Sequence, residues 1–267
     1  EFLLQRVNTL SGIAYKNDPT TLAWQHANEP RSSDRSGLVV SRWVDDLSTY
    51  LKQVDGNHLV GTGDEGFDVS GGGYSVSAYG NQTWLFNGSA GVSFLANSSN
   101  QHIDFAGIHL YPQSWGLTNG AGNTWIRDHI RLAATLNKPL VVGEFGVLAR
   151  QSATYDSWLT TTLLEDGGGA MMWQLLEGGR NNNDGYGVRC PESGTVCAVL
   201  QRQGEMFKSR SFGAPLIPPP SFVLFQNYPN PFNSQTTIAY DLPADSHVKL
   251  IVFNSLGEAV MSFVDGF

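Results

Sequence analysis

Short apolar runs alternate with longer amphipathic stretches along the first two hundred residues of this chain. The apolar runs predict buried strands at residues 22–27, 59–62, 103–110, 140–143 and 170–175. The amphipathic stretches, at residues 36–54, 124–136 and 155–164, repeat apolar side chains at the i, i+3/i+4, i+7 spacing of a helix. Buried strands that alternate with helices predict βα units around a parallel sheet.

This pattern predicts an α/β fold, a (β/α)8 TIM barrel, of which only part is present. A complete barrel takes about 250 residues, whereas the barrel-like pattern here ends near residue 213 and contains five strands. The first seven residues read as the middle of a helix. We therefore expect a barrel domain at residues 1–213 that covers about strands 4–8 and begins after the third strand.

The character of the sequence changes at residue 214. Four prolines between residues 215 and 220 predict a stiff linker at 214–220. Residues 236–242 and 248–253 then alternate as strands do, and Asn254 to Gly257 is a turn signal. Residues 221–267 are therefore predicted to begin a small β-sandwich domain.

Composition narrows the range of functions. A net charge of -8 and a pI of about 5.1 argue against a nucleic-acid partner, which would need a basic face. There is no apolar run of about 18 residues, so no membrane span is expected. We expect no cofactor and no metal, because the sequence shows no metal-ligand cluster, phosphate loop or nucleophilic Ser or Cys with a base. The spacing of Cys190 and Cys197 permits a loop-closing disulfide in an oxidising compartment, and two free thiols are the alternative.

Two glutamates close two of the predicted buried strands. Glu29 lies in Asn-Glu-Pro after the first strand, and Glu144 lies in Gly-Glu-Phe-Gly at the end of the fourth. Strand ends at the carboxyl rim of a barrel carry catalytic groups, and a retaining glycosidase needs two carboxyl groups about 5 to 5.5 Å apart. The pair is thus predicted to be catalytic; two solvated strand-end acids are the alternative.

Other side chains are predicted to surround this pair. His109 and Tyr111 lie two residues apart at a strand end and face the same way, so they are candidates to adjust the acid and hold the nucleophile. Trp173 on the last strand is a candidate floor for a sugar ring, and Asn28 is placed to bind the sugar 2-hydroxyl. The alternative for His109, Tyr111 and Trp173 is core packing.

Two further segments lie near the predicted rim. Asp64 and Glu65 follow the second strand, where they either shape the cleft or are ordinary strand-end acids. Residues 181–185 are predicted to form a surface loop close enough to the rim to touch substrate.

The motifs together resemble glycoside hydrolase family 5, and within it the endo-β-1,4-mannanases. The resemblance covers about residues 8–212 and rests on NTLSG at 8–12, YKNDPT at 15–20, Trp24, NEPR at 28–31, GDEGF at 63–67, HLYP at 109–112, Trp115, and KP at 138–139 before Glu144. It implies a TIM barrel and a retaining mechanism, with Glu29 as acid/base and Glu144 as nucleophile. It also implies that Asn28, His109, Tyr111 and Trp173 surround the −1 sugar.

The chain departs from the family in two places. Gln25-His26 stands where the mannanases usually have Glu-Leu. The family's Arg and His from the early strands would lie upstream of this sequence.

The tail resembles the C-terminal sorting domain of type IX secretion. The resemblance rests on residues 222–231, with QNYPNPFN at 226–233, and on Leu256-Gly257. It implies the secretion machinery as a partner and a secreted or cell-surface location.

We therefore expect a secreted endo-β-1,4-mannanase that acts on β-mannan polysaccharide. An endo-β-1,4-glucanase of the same family is the second enzyme hypothesis. A non-catalytic carbohydrate-binding or inert remnant is the alternative from another class, because an incomplete barrel exposes apolar faces and a sheet edge. For the same reason we expect this chain alone to be inactive.

Overall fold

The structure is a computed structural model, and it describes residues 2–210, 222–224, 236, 238, 240–242, 246–254 and 256–266. The chain divides into two compact units, Glu1–Arg210 and Ser211–Phe267. The predicted linker at 214–220 and the QNYPNPFN run lie outside the described residues, so both stay predictions.

The first unit is built on five parallel strands. They are β1 (Ala23–Gln25), β2 (Leu59–Gly61), β3 (Ala106–Leu110), β4 (Leu140–Phe145) and β5 (Gly169–Met172). β1 pairs with β2, and β3, β4 and β5 pair in that order. A single parallel bridge between Gly61 and Phe105 joins the two groups into one succession. The structure therefore confirms the predicted parallel βα succession; four of the strands are shorter than the apolar runs indicated, and β4 is two residues longer.

The junction between β2 and β3 is called here the seam, and it consists of Val60, Gly61, Asp104 and Phe105. The Asp104 N–H donates to the Val60 carbonyl at 2.8 Å, and the Val60 N–H donates to Asp104 Oδ2 at 2.7 Å. The Phe105 ring lies so close to Gly61 that a Cβ there would be 2.3 Å from its Cζ. Glycine is therefore required for this close approach.

Among the described residues, one short helix precedes β1 and a helix follows each of the five strands of the first unit. The six are α1 (Phe2–Gln5), α2 (Leu38–Val54), α3 (Phe94–Ser98), α4 (Ala121–Thr135), α5 (Gln151–Leu164) and α6 (Gly194–Ser209). The three predicted helices correspond to α2, α4 and α5. In α2, Val40 and Val44 are buried, whereas Leu38, Val39 and Trp43 are exposed. The periodicity had placed Leu38, Val39, Trp43 and Val44 on one apolar face, and of these four only Val44 is buried.

An aromatic cluster fixes the segment that follows β2. Phe67 is fully buried, and its ring centroid lies 4.9 Å from that of Trp84 and 5.2 Å from that of Trp115. Trp125 of α4 closes the cluster at 6.0 Å. Aromatic burial of this size dominates local core energetics, so residues 63–67 are held firmly at the carboxyl end of β2.

A long loop leads from β5 to α6. Its two ends meet, because the Val188 N–H donates to the Gln174 carbonyl and the Leu176 N–H to the Val188 carbonyl, both at 2.8 Å. Cys190 and Cys197 form a disulfide across seven residues at the start of α6. Of the two alternatives that the spacing left open, the structure has the disulfide.

The second unit contains antiparallel strands among its described residues. β6 (Val223–Leu224) pairs with β7 (Tyr240–Asp241), and β8 (Val248–Phe253) pairs with β9 (Ala259–Gly266). The predicted turn joins β8 to β9, and Gly257 there has a φ of +82°. The β-strand character is thus confirmed at β8, while the sandwich arrangement stays a prediction.

Among the helices in the described part of the chain, none has the length and apolar character needed to cross a bilayer.

Candidate active site

Glu29 is held in an unusual backbone conformation at the end of the β1 segment. Its φ is +50°, in the left-handed region that non-glycine residues rarely occupy. The Glu29 N–H donates to the Gly63 carbonyl at 3.0 Å. Gly63 itself has a φ of +77°, and a Cβ there would lie 2.1 Å from the Ala27 carbonyl oxygen. The contact between these two segments therefore fixes the Glu29 main chain, as is common where strained residues serve a site.

Glu144 enters from the other group of strands. It is the fifth residue of β4 and pairs with His109 of β3, where the register shifts by one residue. Strand pairing gives its backbone a fixed position. The two predicted carboxylates thus stand on opposite sides of the seam.

His109 links the two carboxylates. The side chain is buried, and its Nδ1 lies 2.9 Å from Glu29 Oε1 and 3.7 Å from Glu144 Oε2. When Glu29 is ionised it only accepts hydrogen bonds, and Nδ1 is then the donor. One ligand atom from each of the three residues lies within 4.8 Å of the others. The structure therefore brings Glu29, Glu144 and His109 together.

Tyr111 holds Glu144 from the other side. Its hydroxyl donates to Glu144 Oε2 at 2.7 Å. Burial raises the pKa of Tyr111, and the hydrogen bond and negative charge of Glu144 raise it further. The phenol therefore stays protonated and acts as a donor to the carboxylate.

Trp173 and Asn28 lie at the rim. Trp173 follows directly after β5, its N–H donates to the Phe145 carbonyl at 2.9 Å, and 39% of its side chain is exposed. Its indole Nε1–H donates to Asp184 Oδ2 at 2.9 Å. Asn28 is exposed next to Glu29. Trp173 is therefore partly exposed at the position where the sequence predicted a sugar platform, and that role stays a prediction.

The sequence did not single out Arg31 as a site residue. Its Nε and Nη2 donate to the two oxygens of Glu65, each at 2.7 Å, and its guanidinium lies 4.9 Å from the centre of the Phe67 ring. Bidentate pairs of this kind have fixed geometry. Glu65 is thereby held in a fixed position, close enough to Glu29 for their charges to interact. The sequence did offer a signal: an arginine two residues after Glu29, and an acid, Glu65, at the end of another predicted strand.

The buried acids after β2 have altered protonation. Burial raises the pKa of Glu65 to about 7, although Arg31 opposes this shift. Burial likewise raises the pKa of Asp64 to about 6, against a hydrogen bond from the Asn97 amide at 2.9 Å. The negative charge beside the Glu29–Glu144 pair therefore changes as the pH moves through the mildly acidic to neutral range.

Asp184 and Tyr186 were also missed as individual residues, although their loop was expected near the rim. The Tyr186 ring contacts that of Tyr111 edge-on, with centroids 5.2 Å apart. An Asp-Gly pair marks a turn, and nothing in the pattern shows which strand end a turn will face.

The arrangement can serve two kinds of chemistry. Two carboxylates within reach of one another, one beside a histidine and one beside a tyrosine, suit acid/base and nucleophilic roles. Two oxygen ligands and one nitrogen are also a donor set that suits a divalent cation such as zinc. The sequence predicted no metal, and this triad is the candidate position for one within the described part of the chain.

Comparison with known proteins gives a consistent family assignment. Residues 1–181 match the family model described as GH family 5 beta-mannosidase-like. "Mannan endo-1,4-beta-mannosidase 4" of Solanum lycopersicum is 42% identical over 151 residues, which are 54% of this chain and 36% of that protein. "Probable mannan endo-1,4-beta-mannosidase A" of Aspergillus oryzae is 32% identical over 71% of this chain and 50% of its own length.

Solved structures agree with this result. The endo-beta-1,4-mannanase from Thermotoga petrophila superposes with a TM-score of 0.73 at 34% identity, covering 78% of this chain and 48% of that one. The chain thus spans half or less of the length of these relatives.

Proposed function

Since this chain belongs to glycoside hydrolase family 5, among its beta-mannosidase-like members, we propose that it carries the two catalytic carboxylates of a retaining endo-β-1,4-mannanase. The observation that carries the proposal is the triad of Glu29, His109 and Glu144, whose ligand atoms lie within 4.8 Å. An oxygen of Glu29 thus lies within 4.8 Å of an oxygen of Glu144, which supports direct attack by one carboxylate, because retaining enzymes hold their carboxyl groups only about 5 to 5.5 Å apart. β-1,4-Linked mannan is the proposed substrate because the relatives are named for it.

The proposed reaction is a double displacement. Glu144 attacks the anomeric carbon while Glu29 gives its proton to the departing glycosidic oxygen, which breaks the glycosidic bond and forms a glycosyl-enzyme ester. Glu29, now a carboxylate, takes a proton from water, whose oxygen attacks the anomeric carbon and releases Glu144. His109 orients Glu29 through its Nδ1–H, and the Tyr111 hydroxyl orients Glu144.

Azide rescue distinguishes the two carboxylate roles. In the natural polypeptide that contains this chain, Glu144→Gly should lose mannan hydrolysis and, with azide and an aryl β-mannobioside, form the α-glycosyl azide. Glu29→Ala should retain glycosyl-enzyme formation from a substrate with a good leaving group and form the β-glycosyl azide. Glu205→Gln, an exposed acid of α6, is the control. Near wild-type mannan hydrolysis by Glu29→Gln or Glu144→Gln would refute the proposal.

Two alternative hypotheses are tested by the same hydrolysis measurement. Faster cleavage of a soluble cellulose derivative than of mannan would favour the glucanase alternative. Loss of activity on dialysis against EDTA, restored by a divalent cation, would favour the metal reading of the triad. We expect neither, because the proposed reaction uses only the carboxylates and water.

We propose that the active enzyme has further barrel strands beside the five described here. Apolar side chains around the described strands stand open, among them Leu22 at 78% exposure and Leu175 at 65%. Residues 1–213 are proposed to be the barrel part, 214–220 the linker and 221–267 the start of a second domain. Expressed alone, this chain should aggregate and lack mannanase activity; a monomer with a cooperative melt and mannan hydrolysis would contradict this.

We also propose that the second unit directs type IX secretion, so that the enzyme is secreted or held at the cell surface. The support is the QNYPNPFN run and the antiparallel β8–β9 pair. Deletion of residues 211–267 and everything after them should leave the enzyme inside cells of a host with that pathway. Unchanged export would refute the role.

A further inference from the structure

We infer that Asp184 is a positioning residue, whose carboxylate sets the orientation of the Trp173 indole and, through Tyr186, the position of Tyr111. The inference rests on the proposed function and deepens it, because it names the residue that positions Trp173 and Tyr111 in the same site.

The Asp184 carboxylate accepts three hydrogen bonds from its own loop. Its Oδ2 accepts from Trp173 Nε1 at 2.9 Å and from Gln174 Nε2 at 3.0 Å, and its Oδ1 accepts from the Tyr186 N–H at 3.0 Å. An indole N–H only donates and a carboxylate only accepts. The bond therefore selects one of the two orientations related by turning the ring over, since only that one brings Nε1 to Asp184.

The electrostatics of Asp184 agree with this geometry. The hydrogen bond from Trp173 is the largest cause of a lowered pKa at Asp184. The side chain is exposed, so a single hydrogen bond there would compete with water. Three donors on one carboxylate make the arrangement specific.

Tyr186 connects Asp184 to Tyr111, on the other side of the site. Its main chain is held by Asp184 on one side and by the Gln151 amide, which donates to the Tyr186 carbonyl at 3.2 Å, on the other. A Cβ at Gly146 would lie 2.8 Å from the Tyr186 ring and 3.0 Å from the Tyr111 ring. Both rings therefore close over Gly146, and a shift of Tyr186 frees the ring that donates to Glu144.

The ends of the loop are fixed, so Asp184 has a stable frame. The Gly187 N–H donates to Asn182 Oδ1 at 2.8 Å across the turn that contains Asp184. Beyond it, Val188 bridges to the chain after β5, and the Cys190–Cys197 disulfide joins the loop to α6. The main chain at Asp184 is therefore held in place, so that its carboxylate fixes the position of the groups that it contacts.

The test is Asp184→Asn in the natural polypeptide. The amide has nearly the same shape, but whichever way it turns, an NH2 group faces either the indole N–H or the Tyr186 N–H. Asp166→Asn is the matched control, because Asp166 is an exposed acid before the opposite end of β5 and pairs with Arg210. We expect kcat/KM on mannopentaose to fall about ten- to a hundredfold for Asp184→Asn, as for small misplacements in active sites. The control should stay within about twofold.

A double-mutant cycle with Trp173→Phe makes the test specific. Phenylalanine has no N–H, so Asp184→Asn should cost clearly less in that background than in the wild type. Equal costs in both backgrounds would overturn the inference.

Two NMR measurements decide the orientation independently of activity. The Trp173 indole N–H resonance, assigned by its loss in Trp173→Phe, should shift in Asp184→Asn and not in Asp166→Asn. Conversely, the pKa of Asp184 should rise in Trp173→Phe. This second measurement tests the inference even if Asp184→Asn fails to fold. An unchanged indole resonance or an unchanged Asp184 pKa would overturn the inference. If the wild type cleaves neither mannan nor cellulose, the proposed function fails, and these measurements still decide the role of Asp184.

Discussion

Replacement of His26 by leucine should stabilise the first unit, and most strongly at acidic pH. His26 lies between β1 and Glu29, and its ring contacts that of Trp43 in α2 with centroids 5.7 Å apart. Both ring nitrogens are buried and have no hydrogen-bond partner among the described residues. Burial alone lowers the pKa of His26 from 6.5 to about 4. The imidazole is therefore neutral and unpartnered in the folded protein.

Two contributions set the magnitude. A buried polar group without a partner costs about 1–3 kcal/mol, so we expect His26→Leu to gain about 1 kcal/mol at pH 7. Below pH 6.5 the unfolded chain binds a proton that the folded one excludes, so wild-type stability falls as pH drops from 6.5 to 4. The full shift corresponds to about 3 kcal/mol, which partial solvent contact should reduce to about 1–2 kcal/mol.

Urea unfolding followed by tryptophan fluorescence measures this effect. The experiment uses the natural polypeptide, and all seven tryptophans of this sequence lie in the first unit, so the signal includes the unfolding of that unit. The advantage of His26→Leu over the wild type should widen between pH 6.5 and pH 4. His26→Gln is the control, because it keeps a polar side chain but cannot titrate. It should lack the pH dependence of stability that His26 causes, without the gain in stability that leucine gives at pH 7. Parallel stability curves for wild type and His26→Leu across this range would refute the reasoning.

Three further outcomes are expected. Tyr111→Phe removes the hydroxyl that holds the proposed nucleophile, a charge-assisted hydrogen bond of about 1.5–3 kcal/mol, so kcat should fall about tenfold to a hundredfold; unchanged kcat on mannopentaose would contradict the role. Replacement of Cys190 and Cys197 by serine frees a short loop, which should cost about 2–3 kcal/mol on the chain-entropy model; an unchanged urea midpoint would argue against it. Gly61→Ala forces a methyl group into the Phe105 ring and should cost about 1–3 kcal/mol of overpacking, whereas a neutral effect would show that the seam yields freely.

The sequence predicted the parallel βα succession because buried parallel strands are nearly continuous apolar runs. It did not predict α6, whose sequence contains Gly194 and Gly204 and buries only Val196 and Gln203 fully. Val196 is buried and Val199, Leu200 and Phe207 pack against the core partly buried, so the apolar face is narrow, and the polar residues and glycines between these positions hide it in the sequence.

For the site, strand-end position located Glu29, Glu144, His109 and Tyr111, and the structure brings these four together. The Arg31–Glu65 pair and Asp184 could not be located in the same way. Both depend on how loops fold back across the rim, and loop direction is set by contacts between segments distant in sequence.

The seam between β2 and β3 separates the two proposed catalytic carboxylates into two groups of paired strands. The Glu29 main chain is held by the β1–β2 group and Glu144 by pairing within β3–β5, and the hydrogen bond between His109 of β3 and Glu29 crosses the seam. The gap between the two carboxylates therefore depends on how the two groups meet. Carboxyl groups about 5 Å apart favour retention, whereas about 6.5–9.5 Å leaves room for water and favours inversion. Under the proposed mechanism, changes at Val60, Gly61 or Phe105 therefore alter the rate or the anomeric outcome of the reaction without replacing Glu29, Glu144 or any other proposed site residue.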